Sequence, residues 1–144
     1  MREVLFDIAV HDGIVHLASN LLVLVICWRT LAGALGRLRT VFVLGLAGCV
    51  AIAISAWLSG RPVIGSSGAA AAALAATVAL RPAGRVMSMS LPSIAIFLPW
   101  LASQCLFASL GPTFAGIAWP AHLIGAALGA AGAHLLRRRC IPPT

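Results

Sequence analysis

The three acidic residues of this chain, Glu3, Asp7 and Asp12, all precede its first long apolar run, and no carboxylate side chain occurs after them. The remainder is a succession of apolar stretches with brief polar punctuation. That pattern restricts the possible folds more than any other feature. Soluble domains carry roughly 25% charged residues, whereas here 9% of 144 residues are charged and 61% are hydrophobic. So little polar surface cannot cover a globule in water, and a lipid bilayer is the natural solvent. The opening "MREVLFDIAVHDG" is acidic with a short apolar run, which is not the pattern of a cleavable signal.

A membrane span needs about 20 mostly apolar residues, or fewer where a helix starts inside protein. Five candidates run over approximately 14–35, 40–58, 64–80, 91–110 and 113–136. The connections are brief, so the expectation is one all-α membrane bundle over 1–144 with no linker and no second domain. Gly36 and the Pro82-Ala83-Gly84 turn read as helix stops.

The basic residues are all arginine, and they alternate with the loops. Arg29, Arg37 and Arg39 go with the end of the first run, Arg81 and Arg85 with the third, and Arg137, Arg138 and Arg139 with the fifth. The other side has only Arg2 and Arg61. Positive residues favour the cytoplasmic side. The expectation is therefore an external N-terminal segment, 1–13, and a cytoplasmic tail, 137–144, in a multi-pass protein of the bacterial inner (plasma) membrane. This placement also accounts for the net charge of +7 without nucleic acid, for which no aromatic-basic pattern is present. Cys27, Cys49, Cys105 and Cys140 have no metal-site spacing, and the three in apolar runs read as small hydrophobes.

Polar groups inside a bilayer are costly and tend to face the bundle interior. They are few here: His16, Asn20, Ser66, Ser67, Gln104 and His122, with some further serines and threonines. Taken singly, each reads as packing. A histidine or asparagine serves as an interhelical hydrogen-bond partner, the serines as small residues, and Gln104 as glue. His134, beside the terminal arginines, reads as interfacial.

Taken together they suggest chemistry. His16 and Asn20 share a helix face near the external end of the first run. Ser66 and Ser67 lie at the same end of the third run, and His122 is expected two to three turns inside the fifth. A serine needs a base to become a nucleophile, and His122 is a suitable one. Helix N-terminal amides and the side chains of His16 and Asn20 could hold a developing oxyanion. Gly65 and Gly68 allow close approach. A small-residue stripe, Ala121, Gly125, Gly129 and Ala133, suits tight packing of the third and fifth runs. With no carboxylate in any run, an intramembrane aspartyl dyad is excluded and a full Ser-His-Asp triad is unsupported. No HExxH is present for a zincin-type site. A Ser-His dyad is what remains.

The segments "HDGIVHLASNLL", "GSSG" and "AHLIGAALG" resemble, in order, the His-xxx-Asn, Gly-x-Ser-Gly and Ala-His-xx-Gly-xxx-Gly motifs of rhomboid intramembrane serine proteases. The resemblance covers most of the chain. It implies that Ser67 is the nucleophile and His122 the general base of an endopeptidase that cleaves transmembrane segments of membrane proteins. It implies that His16 and Asn20 help to hold the oxyanion along with the Ser67 amide. Gly65, Gly68, Gly125 and Gly129 would be the motif glycines, and His11 would lie near the site. No metal or organic cofactor is implied. The partners would be membrane-protein substrates and the lipid bilayer, with no nucleic acid. The segment "SLGPTFAGIAWP" would cap the site, and Phe97, Trp100, Phe107 and Trp119 are candidates for the side that admits substrate. The family core has six helices, and the first has no counterpart before His11. A compact five-helix form and a reading frame that begins further upstream are both open. Two other readings stand beside the protease: a catalytically silent rhomboid-like protein that binds membrane clients, and a small transporter or channel subunit.

Overall fold

The computed structural model describes residues 9, 11, 13–84, 92–109 and 118–137, without the side chains of Phe107 and Ala108. The acidic residues, Arg2, Arg85, Arg138, Arg139, Cys140 and residues 110–117 of the expected capping segment lie outside the described residues. The described fold is all-α, with five helices: α1 Gly13–Leu35, α2 Arg37–Ser59, α3 Ser67–Leu80, α4 Ser93–Ser109 and α5 Trp119–Leu136.

Glycine and proline set the boundaries. Gly36, at φ 89°, turns the chain between α1 and α2. Its N–H donates to the Ala32 carbonyl, and its own carbonyl accepts from Thr40 N–H. Gly60 ends α2 in the left-handed region, with its N–H on the Ala56 carbonyl, the usual role of glycine after a helix. Three starts differ from the apolar runs by at least three residues. α2 starts at Arg37 rather than 40, because arginine stems accept helical geometry while their heads reach the polar end. α3 starts at Ser67 rather than 64, because Gly65 takes φ 101°, outside any helix. α5 starts at Trp119 with Pro120 in its first turn, where the missing N–H costs nothing. His122 therefore sits in the first turn of α5, not two to three turns inside it.

α1 and α2 are long and apolar enough to cross a membrane, with mean hydropathy of 1.7 and 2.4. α3 is only 14 residues long, about 21 Å. It packs against all four other helices, most extensively against α5, and Gly68 through Thr77 are buried without interruption. A helix enclosed by protein does not need the length of a lipid-facing span.

Large apolar side chains point outward: Ile14, Val15, Leu38, Trp57 and Leu135 are all at least three-quarters exposed. Alanine and glycine make up much of the inside, with Leu31, Leu35, Leu44 and Ile52 among the few large side chains enclosed there, together with buried polar residues such as Asn20, Thr40, Thr77, Ser93 and Gln104. This inversion suits a hydrocarbon surround, in which close packing and internal hydrogen bonds drive association. Thr40 and Thr77 satisfy their hydroxyls on the carbonyls one turn back, at 3.0 and 2.8 Å.

The tightest contact is between α3 and α5. A Cβ on Gly125 would overlap the Gly68 carbonyl, and one on Gly129 would overlap the Ala72 backbone. The two contacts are one turn apart on both helices and so lock the register between them. α4 is more loosely held and packs mainly on α3 and α5. Its base is pinned where Ser93 Oγ donates to the Arg81 carbonyl at 2.6 Å, and Pro99 lies within it.

A side chain added at the α3–α5 contact has no room, since backbone rather than a flexible side chain opposes it. Gly125→Ala and Gly129→Ala are predicted each to cost about 1–3 kcal/mol, read as a lower thermal midpoint in detergent. Gly33→Ala, at a position with nothing within 4 Å, should leave stability unchanged or raise it by about 0.5–1 kcal/mol. Equal responses at all three positions would refute the register lock.

Candidate active site

The segment ahead of α3 is shaped around two imidazoles. Gly65 is required twice over: its φ is in the left-handed range, and a Cβ there would stand 2.8 Å from His16 Cε1. Ser66 caps α3, but its hydroxyl does not bond the helix. The Ser66 hydroxyl and the Ser66 N–H both donate to His11 Nε2, at 3.0 and 3.2 Å. His11 Nδ1–H in turn donates to the Ala9 carbonyl at 2.9 Å. Nε2 is thus the acceptor nitrogen of His11, and the imidazole ties the chain before α1 to the head of α3. The His11 and His16 rings meet edge to face at 5.1 Å.

One residue later the chain faces elsewhere. Ser67 lines a cavity of about 320 Å³ together with His16, Asn20, Trp100 and His122. Four helices contribute: α1, α3, α4 and α5. The remaining wall is small or apolar, including Val23, Ala70, Ala71 and Leu74. The four residues expected to carry chemistry therefore share one chamber, and the expected motif glycines bring its walls together. Ser66, by contrast, is engaged with His11. Among the described residues no hydrogen bond joins Ser67 to His122. Such bonds in unliganded sites are often open and close only around substrate.

Asn20 is more than nine-tenths buried. Its Nδ2 is the one buried side-chain nitrogen or oxygen among the described residues that lacks a hydrogen-bond partner. Asn20 lines the same cavity as Ser67 and His122, so a carbonyl oxygen gaining charge at that wall would meet an amide whose donor is unspent.

From the residues alone, Gln104 reads only as glue. In the structure it is buried and reaches across from α4, so that His122 Nδ1–H donates to Gln104 Oε1 at 2.7 Å. The absence of carboxylates predicts that none orients His122, and an amide oxygen takes that position. The available signal is a lone glutamine in an otherwise apolar helix. Trp100, one turn earlier on α4, sets its ring 6.4 Å from the His122 ring. Phe97 packs on Trp100 at 5.6 Å, so these aromatics stand beside the chamber.

The chamber lies at one end of the bundle. At the other end Arg39 donates to the Leu136 carbonyl at 3.4 Å, Arg37 opens α2, and Arg81 and Arg137 follow the last residues of α3 and α5. Among the described residues no group of three or more histidine, cysteine or acidic side chains could hold a metal ion.

Among known protein families, the Rhomboid domain matches residues 1–139 of the chain. Comparison with curated proteins and with solved structures gives no significant match.

A buried donor without an acceptor costs about 1–3 kcal/mol, so the bundle gains nothing from the Asn20 amide. Asn20→Leu, similar in volume and apolar, is predicted to leave the thermal midpoint in detergent unchanged or higher. A fall of several degrees would show that Asn20 holds helices together instead of facing a ligand.

Proposed function

The chain belongs to the rhomboid family, and from that premise we propose that it is an intramembrane serine endopeptidase working through a Ser67–His122 dyad. The family is membrane-embedded and acts on membrane-protein substrates in the bilayer. The observation that carries the reading for this chain is that Asn20, whose Nδ2 is unpartnered, lines one chamber with the Ser67 hydroxyl and the His122 imidazole. A structural asparagine would have found a partner, whereas an oxyanion donor must wait for one.

In this mechanism a substrate's transmembrane segment unwinds near the external face and presents a peptide carbonyl to Ser67. His122 Nε2 takes the hydroxyl proton as Oγ attacks the carbonyl carbon. The carbonyl oxygen becomes an oxyanion held by Asn20 Nδ2–H, by His16 and by the Ser67 amide at the head of α3. Collapse breaks the C–N bond, and His122 returns the proton to the leaving amine. Water then attacks the acyl-enzyme, giving its proton to His122, which passes it to Ser67 Oγ as the acid product leaves. Gly65 serves by its conformation, and Gly68, Gly125 and Gly129 serve by bringing the backbones of α3 and α5 together. The arginine-rich end faces the cytoplasm by the positive-inside rule, so the chamber opens to the external side of a multi-pass protein of the bacterial inner membrane.

A second reading, a catalytically silent protein that binds membrane clients, is favoured by the open gap between Ser67 and His122. Labelling of the purified chain with a fluorophosphonate separates the two. Labelling is expected in the wild type and in Ser66→Ala, and none in Ser67→Ala. His122→Ala should slow it by at least about 100-fold, and Asn20→Leu by about 10²–10³-fold. A folded wild type that never labels would overturn the protease and favour the silent binder. Adduct on Ser66 would move the nucleophile to the His11 pair.

A further inference from the structure

A general base in a dyad has to present the correct nitrogen. Imidazole has two neutral tautomers, and the choice between them is set by whatever the far nitrogen bonds. In this protein the series of hydrogen bonds behind His122 allows only one direction. It begins at the Trp100 carbonyl, which can only accept. Ser103 Oγ–H donates to it at 2.6 Å. With its proton committed, Ser103 Oγ accepts from Gln104 Nε2–H at 3.2 Å. That contact points the amide nitrogen of Gln104 at Ser103 and leaves Oε1 facing α5. Oε1 can only accept, so His122 Nδ1 must carry the proton that it donates at 2.7 Å.

We propose that Gln104 is the positioning residue of the active site: it holds His122 as the Nδ1–H tautomer and so reserves Nε2 for the proton of Ser67. Ser103 acts one step further back, by fixing which end of the Gln104 amide faces the imidazole. The assignment rests on the protease reading for its use, but the tautomer itself does not depend on that reading. When Nε2 takes the serine proton, Nδ1–H stays in place and Oε1 lies against the new positive charge. A neutral amide does this less strongly than a carboxylate, but it carries no charge of its own into the bilayer.

α4 is otherwise held by its base and by apolar contact, and Gln104 is buried at 4% exposure. A glutamine buried in an apolar helix costs free energy unless its amide is satisfied. Ser103 and His122 satisfy it.

The test uses the full chain in detergent micelles, with fluorophosphonate labelling rates and ¹⁵N spectra of ¹⁵N-histidine protein, the His122 signals being assigned by their loss in His122→Ala. Gln104→Met keeps the volume and removes the acceptor. It should slow labelling by about 10–100-fold and abolish the single Nδ1–H signature of His122. Gln104→Glu keeps an acceptor oxygen and should restore most of the rate and the Nδ1–H tautomer. Ser103→Ala should give a mixed tautomer and an intermediate rate. Wild-type labelling speed in a folded Gln104→Met, with the His122 spectrum unchanged, would overturn the proposal. So would a wild-type spectrum with the proton on Nε2, a result that needs no variant to fold. A folded wild type that fails to label removes the protease reading instead, and its His122 spectrum still decides the tautomer.

Discussion

The structure depends on the approach of two backbones. α3 and α5 meet with glycine facing carbonyl, Gly125 on Gly68 and Gly129 on Ala72, and the shape of the chamber is set by that distance. A single methyl group at either glycine would push the first turn of α5 away from the first turn of α3. Those are the turns that carry His122 and Ser67. Because the two contacts repeat at the helical period, they also fix rotation, so the two side chains arrive on the same side. The alanine run of α3 does the same for the remaining neighbours: it keeps the helix thin enough for α1, α2, α4 and α5 all to reach it.

Hydrogen bonding then sorts the polar residues into those that are finished and those that are open. Thr40, Thr77 and Ser93 close on nearby carbonyls. His11 closes on Ser66 and on Ala9. Gln104 closes at both ends of its amide. Asn20 does not. Such an exception is informative, because a buried donor left without an acceptor carries a cost that the bundle does not recover elsewhere. Two neighbouring serines illustrate the same sorting. Ser66 is engaged by an imidazole that also takes its backbone N–H, while Ser67 faces the open space.

Much of this was legible in the residues. Charge depletion pointed to the class of solvent, and the runs to the existence of all five helices. The Ala121-Gly125-Gly129-Ala133 stripe pointed to the α3–α5 contact. Helix starts were less legible, because hydropathy does not see dihedral angles: Gly65 sits within an apolar run yet adopts a conformation that no helix contains. Pro120 misled in the other direction. A proline near the beginning of a long run marks the start, and reading the run as continuous placed His122 too deep. Gln104 was visible as a residue but not as a partner, since its role depends on α4 crossing near the first turn of α5. That crossing is set by apolar side chains with little directional preference in their sequence. The Ser66–His11 bond was hidden for a similar reason, being a tertiary contact between a helix cap and a residue before α1.

The inverted interior also bears on inheritance. In a water-soluble protein the large buried side chains are constrained and the surface drifts. Here many of the bulky residues, Leu31, Leu35 and Ile52 apart, face outward, where leucine, valine, isoleucine and phenylalanine are interchangeable to a hydrocarbon. The alanines of α3 have no such latitude: Ala72, Ala73 and Ala76 are wholly enclosed, and any larger residue must displace a neighbouring helix. Descendants of this chain should therefore diverge fastest in their greasiest positions and keep their smallest letters, the reverse of the rule by which ancestry is usually weighed.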